Sequence, residues 1–325
     1  MDTSAYPLVS IISINYNQSK TTLEFLKSIE NITYPNYEVI IVDNASPNDH
    51  PEIIKEQYPS VHLVFSKQNL GFAGGNNLGI LHSNGDYLLF INNDTEVEPD
   101  FLEPLVQAFK EDDTLGLVSP KIIFYHHKQE KLLQYAGGTA VNYLKGTGHF
   151  LGYGETDTGK YQTSHTELIH GAAVMVPRKL VKKISVWPDI YFLYYEEIDW
   201  SEHFKRSGYK LKFIAESVIY HKESLSIGKF TPIRIYYMNR NRQLFIRRNA
   251  SFLNKILSLL YFYFVSIPKS TLYFLLKFRF DLLNALWKGI FWNLFHWFNI
   301  NLNPILSETD TKKTIINSFI KYPEV

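Results

Sequence analysis

The sequence predicts an α/β fold, a mostly parallel sheet flanked by helices, followed by a C-terminal helical region that associates with membranes. Short apolar runs alternate with helical patterns from residue 8 to residue 119, which is typical of a doubly wound sheet. Polar residues directly follow several of these runs. The charge also changes sign along the chain, with 5 Lys/Arg against 17 Asp/Glu in residues 1–120 and 19 against 7 in residues 201–325.

The composition is that of a globular protein. The chain has 325 residues and is 45% hydrophobic, enough for a sizeable core. The absence of cysteine excludes disulfides and thiolate metal sites. Residues 1–7 lack the basic and apolar segments of an export signal, so we expect the protein to stay in the cytoplasm. No nucleic-acid-binding motif is visible, and we expect no nucleic acid partner.

The first elements form two βα units. Residues 8–14 predict a buried strand, and the apolar spacing over 21–32 predicts a helix. Residues 37–42 predict the second strand, and Asp43 follows it. This aspartate is a candidate for binding a base or ribose, although Asp before Asn and Ser also forms turns. A short helix over 53–58 and a strand over 61–65 come next.

A glycine-rich segment covers residues 69–79 and contains Asn69, Gly74 and Asn76. Glycines let a loop run close to a ligand, and the free N–H groups of a following helix favour an anion such as diphosphate. The alternative is that the glycines serve close packing, since they weaken a helix otherwise.

The run over residues 87–91 predicts a strand buried on both faces, and Asn92, Asn93 and Asp94 follow it at once. Ligands of open α/β sheets bind beyond the carboxyl ends of the strands. Asp94 therefore suits a Mg²⁺ ion that bridges two phosphates, which needs few protein ligands. A helix N-cap or an Asx turn is the alternative. A helix over 99–110 and a strand over 115–119 follow.

An acidic cluster, Glu196, Glu197 and Asp199, lies beside a run of aromatic residues. Gathering like charges is unfavourable unless they are solvated or functional. A helix that starts here places Glu196 and Asp199 on one face, with Glu197 offset. The alternative is an acidic first turn that complements the helix dipole.

His221 comes after two predicted strands, over residues 209–214 and 217–220. A lone histidine at a strand end is usually a polar surface residue. Residues 222–229 predict a flexible loop that closes over a diphosphate, with Lys222 or Lys229 as contacts.

The C-terminal region is basic and aromatic. Six Lys/Arg and no acid lie between residues 232 and 255, which predicts a basic helix along a membrane or along an acidic face of the sheet. Residues 256–267 are apolar for 12 residues before Pro268, too short to span a bilayer. Residues 282–300 contain three tryptophans, which suits the headgroup zone. We expect in-plane attachment, with a homo-oligomer interface or a true span as alternatives.

Taken in order over residues 8 to 250, these motifs resemble the inverting family 2 glycosyltransferases with a GT-A fold. The run over 69–77 is most similar to the rhamnosyltransferase and galactofuranosyltransferase branch. The resemblance implies a nucleotide-diphosphate sugar donor. It also implies a divalent metal, Mg²⁺ or Mn²⁺, held by Asp94 and His221. The family's Asp-x-Asp motif falls on residues 92–94, where Asn92 replaces the first Asp and adds no charge.

The resemblance also implies roles for individual residues. The nucleobase would contact the backbone of Ile14 and stack on Tyr16. The general base would be Glu197, where the family more often has Asp, so Glu196 and Asp199 remain alternatives. The full set of expected donor-binding residues is Ile14, Tyr16, Asp43, Asn69, Gly74, Asn76, Asn92 and Asn93.

The sequence thus predicts a metal-dependent inverting glycosyltransferase. It would move rhamnose or a related sugar to a lipid-linked or polysaccharide acceptor at the inner face of the cell membrane. We expect a catalytic domain over 1–230, a basic and aromatic helical region over 231–302 and a polar tail over 303–325. A sugar-nucleotide nucleotidyltransferase is one alternative, but it would have a Gly-rich basic loop where this chain has residues 15–20. A non-catalytic nucleotide-binding membrane scaffold is the other alternative.

Overall fold

The computed structural model describes residues 6–222 and 230–298, and a ten-stranded mixed sheet forms its centre. The strands are β1 (Val9–Asn15), β2 (Tyr37–Asp43), β3 (His62–Phe65), β4 (Tyr87–Ile91), β5 (Thr95–Val97), β6 (Leu115–Phe124), β7 (Leu133–Tyr135), β8 (Ser164–Thr166), β9 (Ala173–Pro177) and β10 (Lys210–His221). The helices are α1 (Ser19–Ile29), α2 (Glu52–Gln57), α3 (Gly71–Leu81), α4 (Leu102–Glu111), α5 (Arg178–Lys183), α6 (Glu196–Arg206), α7 (Pro232–Asn249), α8 (Phe252–Tyr261), α9 (Ile267–Leu276) and α10 (Phe280–Phe295). The predicted polar tail and most of the predicted closing loop, including Lys229, lie outside the described residues.

The sheet is parallel on one side and mixed on the other. The strand order is β3-β2-β1-β4-β9-β6-β10-β5, with β7 on β6 and β8 on β10. Strands β1 to β4 are parallel, whereas β9 runs antiparallel to both β4 and β6. The predicted α/β fold is therefore confirmed. The doubly wound pattern ends where β9 enters the sheet in the reverse direction.

The parallel strands are uniformly apolar because each one is buried on both faces. In β1, Ile11 enters one hydrophobic core together with Phe25 of α1, and Ile12 enters the other together with Trp187. Side chains of a strand alternate between the two faces, so helices on both sides require apolar residues at every position. This is why the run over 87–91 could be recognised as a strand.

The carboxyl ends of the strands meet along one edge. Parallel pairing sets Asn15 at the end of β1 beside Asp43 at the end of β2. β4 lies on the other side of β1, so residues 92–94 leave the sheet at the same edge. The two strands predicted over 209–220 form one strand, β10, with an irregularity between Ile214 and Val218, and it ends at His221.

The glycine-rich segment is mostly a helix, α3, which begins at Gly71, so the expected loop is short. A Cβ atom on Gly75 would lie 2.9 Å from Ile14 Cδ1, and one on Gly79 would lie 2.4 Å from Ile12 Cγ2. These glycines let α3 lie directly on β1, so their first role is close packing.

Helix α7 is internal. Arg240 and Arg247 are 4% and 3% exposed. Arg247 donates to Asn293 Oδ1 at 2.7 Å and to the Trp297 carbonyl at 2.8 Å, and Arg240 stacks on the Trp292 ring. Arg240 and Arg247 thus make their contacts inside the protein, which disagrees with a helix lying along a membrane.

The C-terminal helices leave a broad apolar surface exposed. Helices α8 and α9 join through a π-helical turn, Phe262–Ser266, into one continuous helix, Phe252–Leu276. The expected break at Pro268 does not occur, since a widened turn precedes the proline, whose ring removes an N–H donor. This 25-residue helix has a mean hydropathy of 1.4 in its most apolar window and is long enough to cross a membrane, with 17% of that window buried.

Candidate active site at the strand ends

A carboxylate and an imidazole meet where β4 and β10 end. Asp94 follows β4, and His221 is the last residue of β10. The distance from His221 Nε2 to Asp94 Oδ1 is 3.1 Å, and both side chains are less than a tenth exposed. Burial alone would raise the pKa of Asp94. A positive charge on His221, a hydrogen bond from its ring and the charge of Lys222 together outweigh burial and lower that pKa.

A glutamine fixes the orientation of the histidine. Gln134 Oε1 in β7 lies 2.8 Å from His221 Nδ1, and Gln134 is 3% exposed. This nitrogen therefore carries the proton in the neutral ring and leaves a lone pair on Nε2. Sequence reasoning missed Gln134, because nothing local in residues 120–165 marks one polar residue as the partner of a histidine 87 positions later.

The arrangement fits a divalent cation. His221 Nε2 lies 3.1 Å from the buried Asp94 Oδ1, so a neutral ring with its proton on Nδ1 would offer a cation two ligand atoms, the Nε2 lone pair and the carboxylate oxygen. Two neighbouring ligands of an octahedral Mg²⁺ at about 2.1 Å are separated by about 3 Å, close to the observed spacing. No group of three or more acidic or histidine ligands occurs in the described part of the chain. The remaining ligands of such an ion would be water and substrate oxygens.

The two asparagines between β4 and Asp94 make polar contacts at the same edge of the sheet. Asn92 Nδ2 lies 3.3 Å from His221 Nε2, and the Asn92 backbone N–H donates to the Ala172 carbonyl at 2.9 Å. Asn93 Nδ2 donates to Thr22 Oγ1 of α1 at 2.9 Å. Asn92 thus lies beside the candidate metal ligands, and Asn93 ties the edge to α1.

The residues expected around the nucleobase lie at the ends of β1 and β2. Tyr16 is 40% exposed, so its ring is free to stack on a planar ligand. Ile14 packs against α3 at Gly75. Asp43 is 3% exposed and accepts hydrogen bonds from Asn15 Nδ2 at 2.9 Å and from Ser46 Oγ at 2.6 Å. In this state Asp43 organises the turn, which was the alternative left open by the sequence.

The segment before α3 is held by Asn44. Its Nδ2 donates to Asn69 Oδ1 and to the Gly71 carbonyl, each at 3.1 Å. Gly74 faces Leu70, where a Cβ atom would lie 2.8 Å from Leu70 Cβ. Asn76 is 2% exposed, and its Nδ2 has no hydrogen-bond partner among the described residues. Of the three candidates in this segment, Asn76 therefore has the unmet hydrogen-bonding capacity that a ligand would satisfy.

Two glutamates open helix α6. Glu196 is 5% exposed, and burial followed by the charge of Glu197 raises its pKa well above the ordinary value. Burial also raises the pKa of Glu197 to about 7, against the opposing backbone N–H groups of Glu197 and Tyr195. Glu197 is half-buried. A carboxyl group with a pKa near neutrality can accept and release a proton at physiological pH.

Asp199 is a structural residue in this arrangement. It is fully buried and pairs with Arg248 of α7, with Nη2 3.0 Å from Oδ2. It also accepts from the Tyr191 hydroxyl at 2.9 Å and from Asn249 Nδ2. Its hydrogen bonds are satisfied inside the protein, so the structure favours Glu197 over Asp199 as the group that reaches a substrate.

The segment over residues 170–172 touches both halves of the site. A Cβ atom on Gly171 would lie 3.7 Å from Glu197 Cβ. The ring centre of His170 is 6.1 Å from that of His221, and Ala172 accepts the Asn92 backbone hydrogen bond. Burial lowers the pKa of His170 to about 3, so this ring is neutral. Glu197 and the Asp94–His221 pair therefore both lie next to the same short segment, residues 170–172.

Comparison with known families and proteins gives a consistent picture. The family model described as Glycosyl transferase family 2 matches residues 10–185. The low-salt glycan biosynthesis hexosyltransferase Agl10 of Haloferax volcanii is 23% identical over 254 residues, which cover 76% of this chain and 78% of that protein. Glycosyltransferase AglE of the same organism is 23% identical over 253 residues, covering 73% of this chain and 77% of AglE.

Solved structures share the fold. GalNAc-T7 with UDP, GalNAc and Mn²⁺ matches 74% of this chain with a TM-score of 0.61 and 16% identity, although this covers 48% of the GalNAc-T7 chain. The mannosyltransferase PcManGT from Pyrobaculum calidifontis, in complex with GDP-Man and Mn²⁺, matches 98% of this chain and 83% of its own, with a TM-score of 0.55 and 16% identity. S. aureus TarS 1–349 in complex with UDP-GlcNAc matches 87% and 80%, with a TM-score of 0.54 and 17% identity. The sheet and its helices are therefore of the GT-A type.

Proposed function

The chain belongs to glycosyl transferase family 2, and from that premise we propose that it is a metal-dependent, inverting glycosyltransferase of cell-surface glycan synthesis. The proposed donor is a nucleotide-diphosphate sugar, with rhamnose or a related sugar favoured by the resemblance of residues 69–77. The proposed acceptor is a lipid-linked glycan or a polysaccharide precursor. The observation that carries the proposal is the shared neighbourhood of Glu197 and the Asp94–His221 pair around Gly171.

The proposed reaction is a single displacement. The Glu197 carboxylate removes the proton from the acceptor hydroxyl while the acceptor oxygen attacks the anomeric carbon. The bond between that carbon and the diphosphate oxygen breaks, and the nucleoside diphosphate leaves with the electron pair. Attack from the face opposite the leaving group inverts the anomeric configuration.

The residues around Asp94 support a role in binding the diphosphate of the donor. A divalent cation, bound through Asp94 and His221, would supply positive charge for the diphosphate. Lys222 is 8% exposed and donates its backbone N–H to the Asp94 carbonyl at 2.9 Å, while its ammonium group pairs with Glu24. Asn92 adds a dipole but no charge, so we expect a weaker metal site than one with two aspartates.

The test is turnover with a panel of donors. Purified protein is incubated with dTDP-rhamnose, UDP-GlcNAc or GDP-mannose, a polyprenyl-diphosphate-linked sugar acceptor, and Mn²⁺ or Mg²⁺. Release of nucleoside diphosphate together with an elongated acceptor supports the proposal. Pyrophosphate as the product would indicate a nucleotidyltransferase, and donor binding without turnover would indicate a scaffold.

We further propose that the helix Phe252–Leu276 attaches the enzyme to the inner face of the cell membrane. Large apolar side chains are exposed along it, with Phe252 at 79%, Phe264 at 74% and Leu276 at 69%. Contiguous apolar surface of this kind is unusual on a monomeric soluble protein. Arg240 and Arg247 of α7 are buried inside the protein, so apolar burial is the main proposed contribution to membrane binding.

Membrane binding is tested without truncation, because α10 packs on α7 and its removal would uncover buried residues. The variant Phe252→Ser/Leu257→Ser/Phe264→Ser should lose co-sedimentation with vesicles of phosphatidylethanolamine and phosphatidylglycerol. The control Phe65→Ser/Tyr153→Ser changes two side chains of the catalytic domain that are 53% and 52% exposed. Unchanged sedimentation of the first variant, or a stable dimer in detergent-free buffer, would contradict membrane attachment.

A further inference from the structure

The chain takes a strained path immediately before the candidate base. In the segment over residues 191–195, here called the left-handed loop, three non-glycine residues have positive φ: Phe192 at 64°, Tyr194 at 67° and Tyr195 at 78°. Bulky side chains disfavour this region because Cβ crowds the backbone. Such a conformation persists only where surrounding contacts enforce it. The loop leads directly into Glu196 and Glu197.

One amide of α7 supplies a large part of those contacts. Asn241 is fully buried, and its Nδ2 donates to the carbonyls of Tyr191 at 3.0 Å, Leu193 at 2.7 Å and Tyr194 at 2.8 Å. An amide NH₂ has two hydrogens, so one of them is shared. Asn241 Oδ1 has no hydrogen-bond partner among the described residues. The three carbonyls are therefore the groups that orient this side chain.

Neighbouring residues of α7 follow the same loop. Tyr237, one helical turn before Asn241, stacks on Phe192 with 5.1 Å between ring centres. Arg240 donates to the carbonyl of Ile190, the residue before the loop. Arg242 Nε lies 3.4 Å from the Tyr195 hydroxyl. Helix α7 thus contacts the loop along its length and acts as a template for it.

The loop also touches the donor side of the site. The Phe72 N–H at the start of α3 donates to the Phe192 carbonyl at 2.7 Å. A Cβ atom on Gly71 would lie 2.2 Å from that same oxygen, so only glycine fits there. The loop is therefore held on two sides, at Phe192 by the start of α3 and along its length by α7, and α3 keeps its own contacts with β1 if the contacts from α7 are lost.

We propose that Asn241 is a positioning residue for Glu197: it holds the left-handed loop so that the carboxylate is presented to the acceptor hydroxyl. The inference rests on the proposed function, in which Glu197 is the base. It also makes α7 part of the catalytic machinery, although α7 lies outside the residues 10–185 matched by the family model.

The test uses Asn241→Leu, which keeps the volume and removes the three hydrogen bonds. Misplacing a reacting group by about 1 Å can cost about 100-fold in rate, so kcat should fall by about 10- to 100-fold while the donor KM changes by less than about 3-fold. The control is Asn239→Leu on the same helix, since Asn239 bonds only the Ile235 carbonyl at 2.8 Å among the contacts described. Kinetics use the fastest donor of the panel above.

Two further measurements separate positioning from general structural damage. If Asn241 acts through Glu197, Asn241→Leu added to Glu197→Gln should lower kcat by less than about 2-fold beyond Glu197→Gln alone, whereas independent effects would multiply. Hydrogen–deuterium exchange of the peptide over residues 190–197 should rise in Asn241→Leu and stay unchanged in Asn239→Leu. The exchange measurement needs no substrate and no fully active enzyme.

The outcomes are distinct. Unchanged kcat in Asn241→Leu, multiplicative losses in the double variant, or unchanged exchange of residues 190–197 would each overturn the proposal. Full activity of Glu197→Gln would overturn the assignment of the base, and with it the proposed mechanism. The exchange result would in that case still decide whether Asn241 holds the loop.

Discussion

The two carboxylates of the proposed site, Asp94 and Glu197, are both surrounded by protein but have opposite electrostatic environments. Burial would raise the pKa of each. At Asp94 the positive charges that His221 and Lys222 can carry outweigh burial and lower the pKa. At Glu197 only backbone N–H groups oppose burial, and the pKa rises to about 7. Burial and the charge of Glu197 also raise the pKa of the neighbouring Glu196 well above its ordinary value.

This difference shows how one chemical group, the carboxylate, can serve two roles. A carboxylate that must hold a cation has to stay ionised, and cationic neighbours ensure that it does. A carboxylate that must take a proton is most effective when its pKa is near the working pH, and burial without a cation provides this. If the two environments have these separate roles, substitutions of Asp94 and Glu197 should change different properties of the enzyme.

The largest effect is expected for Glu197→Gln. Loss of a general base typically lowers kcat by about 10²–10⁴-fold, and donor binding measured by calorimetry should be unchanged. Wild-type kcat should fall about tenfold per pH unit below pH 7, because protonated Glu197 cannot accept the acceptor proton. The control is Glu202→Gln on the same helix, a buried glutamate that accepts from the Tyr143 hydroxyl at 2.8 Å. Full activity of Glu197→Gln would transfer the role to Glu196.

The next effect is expected for Asp94→Asn. Removing the charged ligand should raise the Mn²⁺ concentration for half-maximal activity by about 100-fold, more than loss of an outer partner does. The measurement is a Mn²⁺ titration of turnover after treatment with EDTA. Asp157→Asn is the matched control, since the Asp157 side chain is 11% exposed and also has a cationic partner, Lys121 at 2.7 Å. An unchanged metal requirement would show that Asp94 does not hold the cation.

Sequence patterns predicted more of the Asp94 region than of the Glu197 region. Asp94 was recognisable because a buried parallel strand gives an unbroken apolar run, and whatever follows it must lie at the ligand-binding edge. The structure brings His221 there through a strand that pairs with β6, a contact that local patterns do not specify. The metal assignment itself remains a prediction.

The base region could not be resolved from local patterns. Helical spacing grouped Glu196 with Asp199, but the partner of Asp199 is Arg248, 49 positions later. The basic run over 232–255 suggested a membrane for the same reason: arginines that pair inside the protein look like surface charges in a sequence. The continuous helix across Pro268 was also missed, because it depends on a π-helical turn that has no composition signal.

A smaller effect is expected for Gln134→Leu. Outer partners of metal-binding histidines typically change metal affinity by about 10- to 100-fold, so the Mn²⁺ requirement should rise by about tenfold. Gln134→Glu keeps an acceptor for His221 Nδ1 and should recover most of the affinity. The exposed Gln107→Leu is a suitable control in the same titration. Equal behaviour of Gln134→Leu and Gln134→Glu would mean that the hydrogen bond to His221 is unimportant.

The smallest effect, on folding stability, gives the sharpest contrast between the two carboxylates. The folded-state pKa of Glu197 lies above its unfolded value, so ionisation costs stability as pH rises from about 4.5 to about 7, and Glu197→Gln removes that cost. At pH 8 in EDTA this variant should be more stable in urea by about 1–3 kcal/mol, allowing for partial exposure, and at pH 4 it should match the wild type.

The folded-state pKa of Asp94 is lowered, so its contribution to stability is present above the unfolded pKa and is lost as pH falls through the folded pKa. Asp94→Asn should therefore lose stability at pH 5.5, above the unfolded pKa of an aspartate and below the ordinary pKa of a histidine. Shifts of the same sign in both variants would show that the two environments do not differ in the way that the proposed division of roles requires.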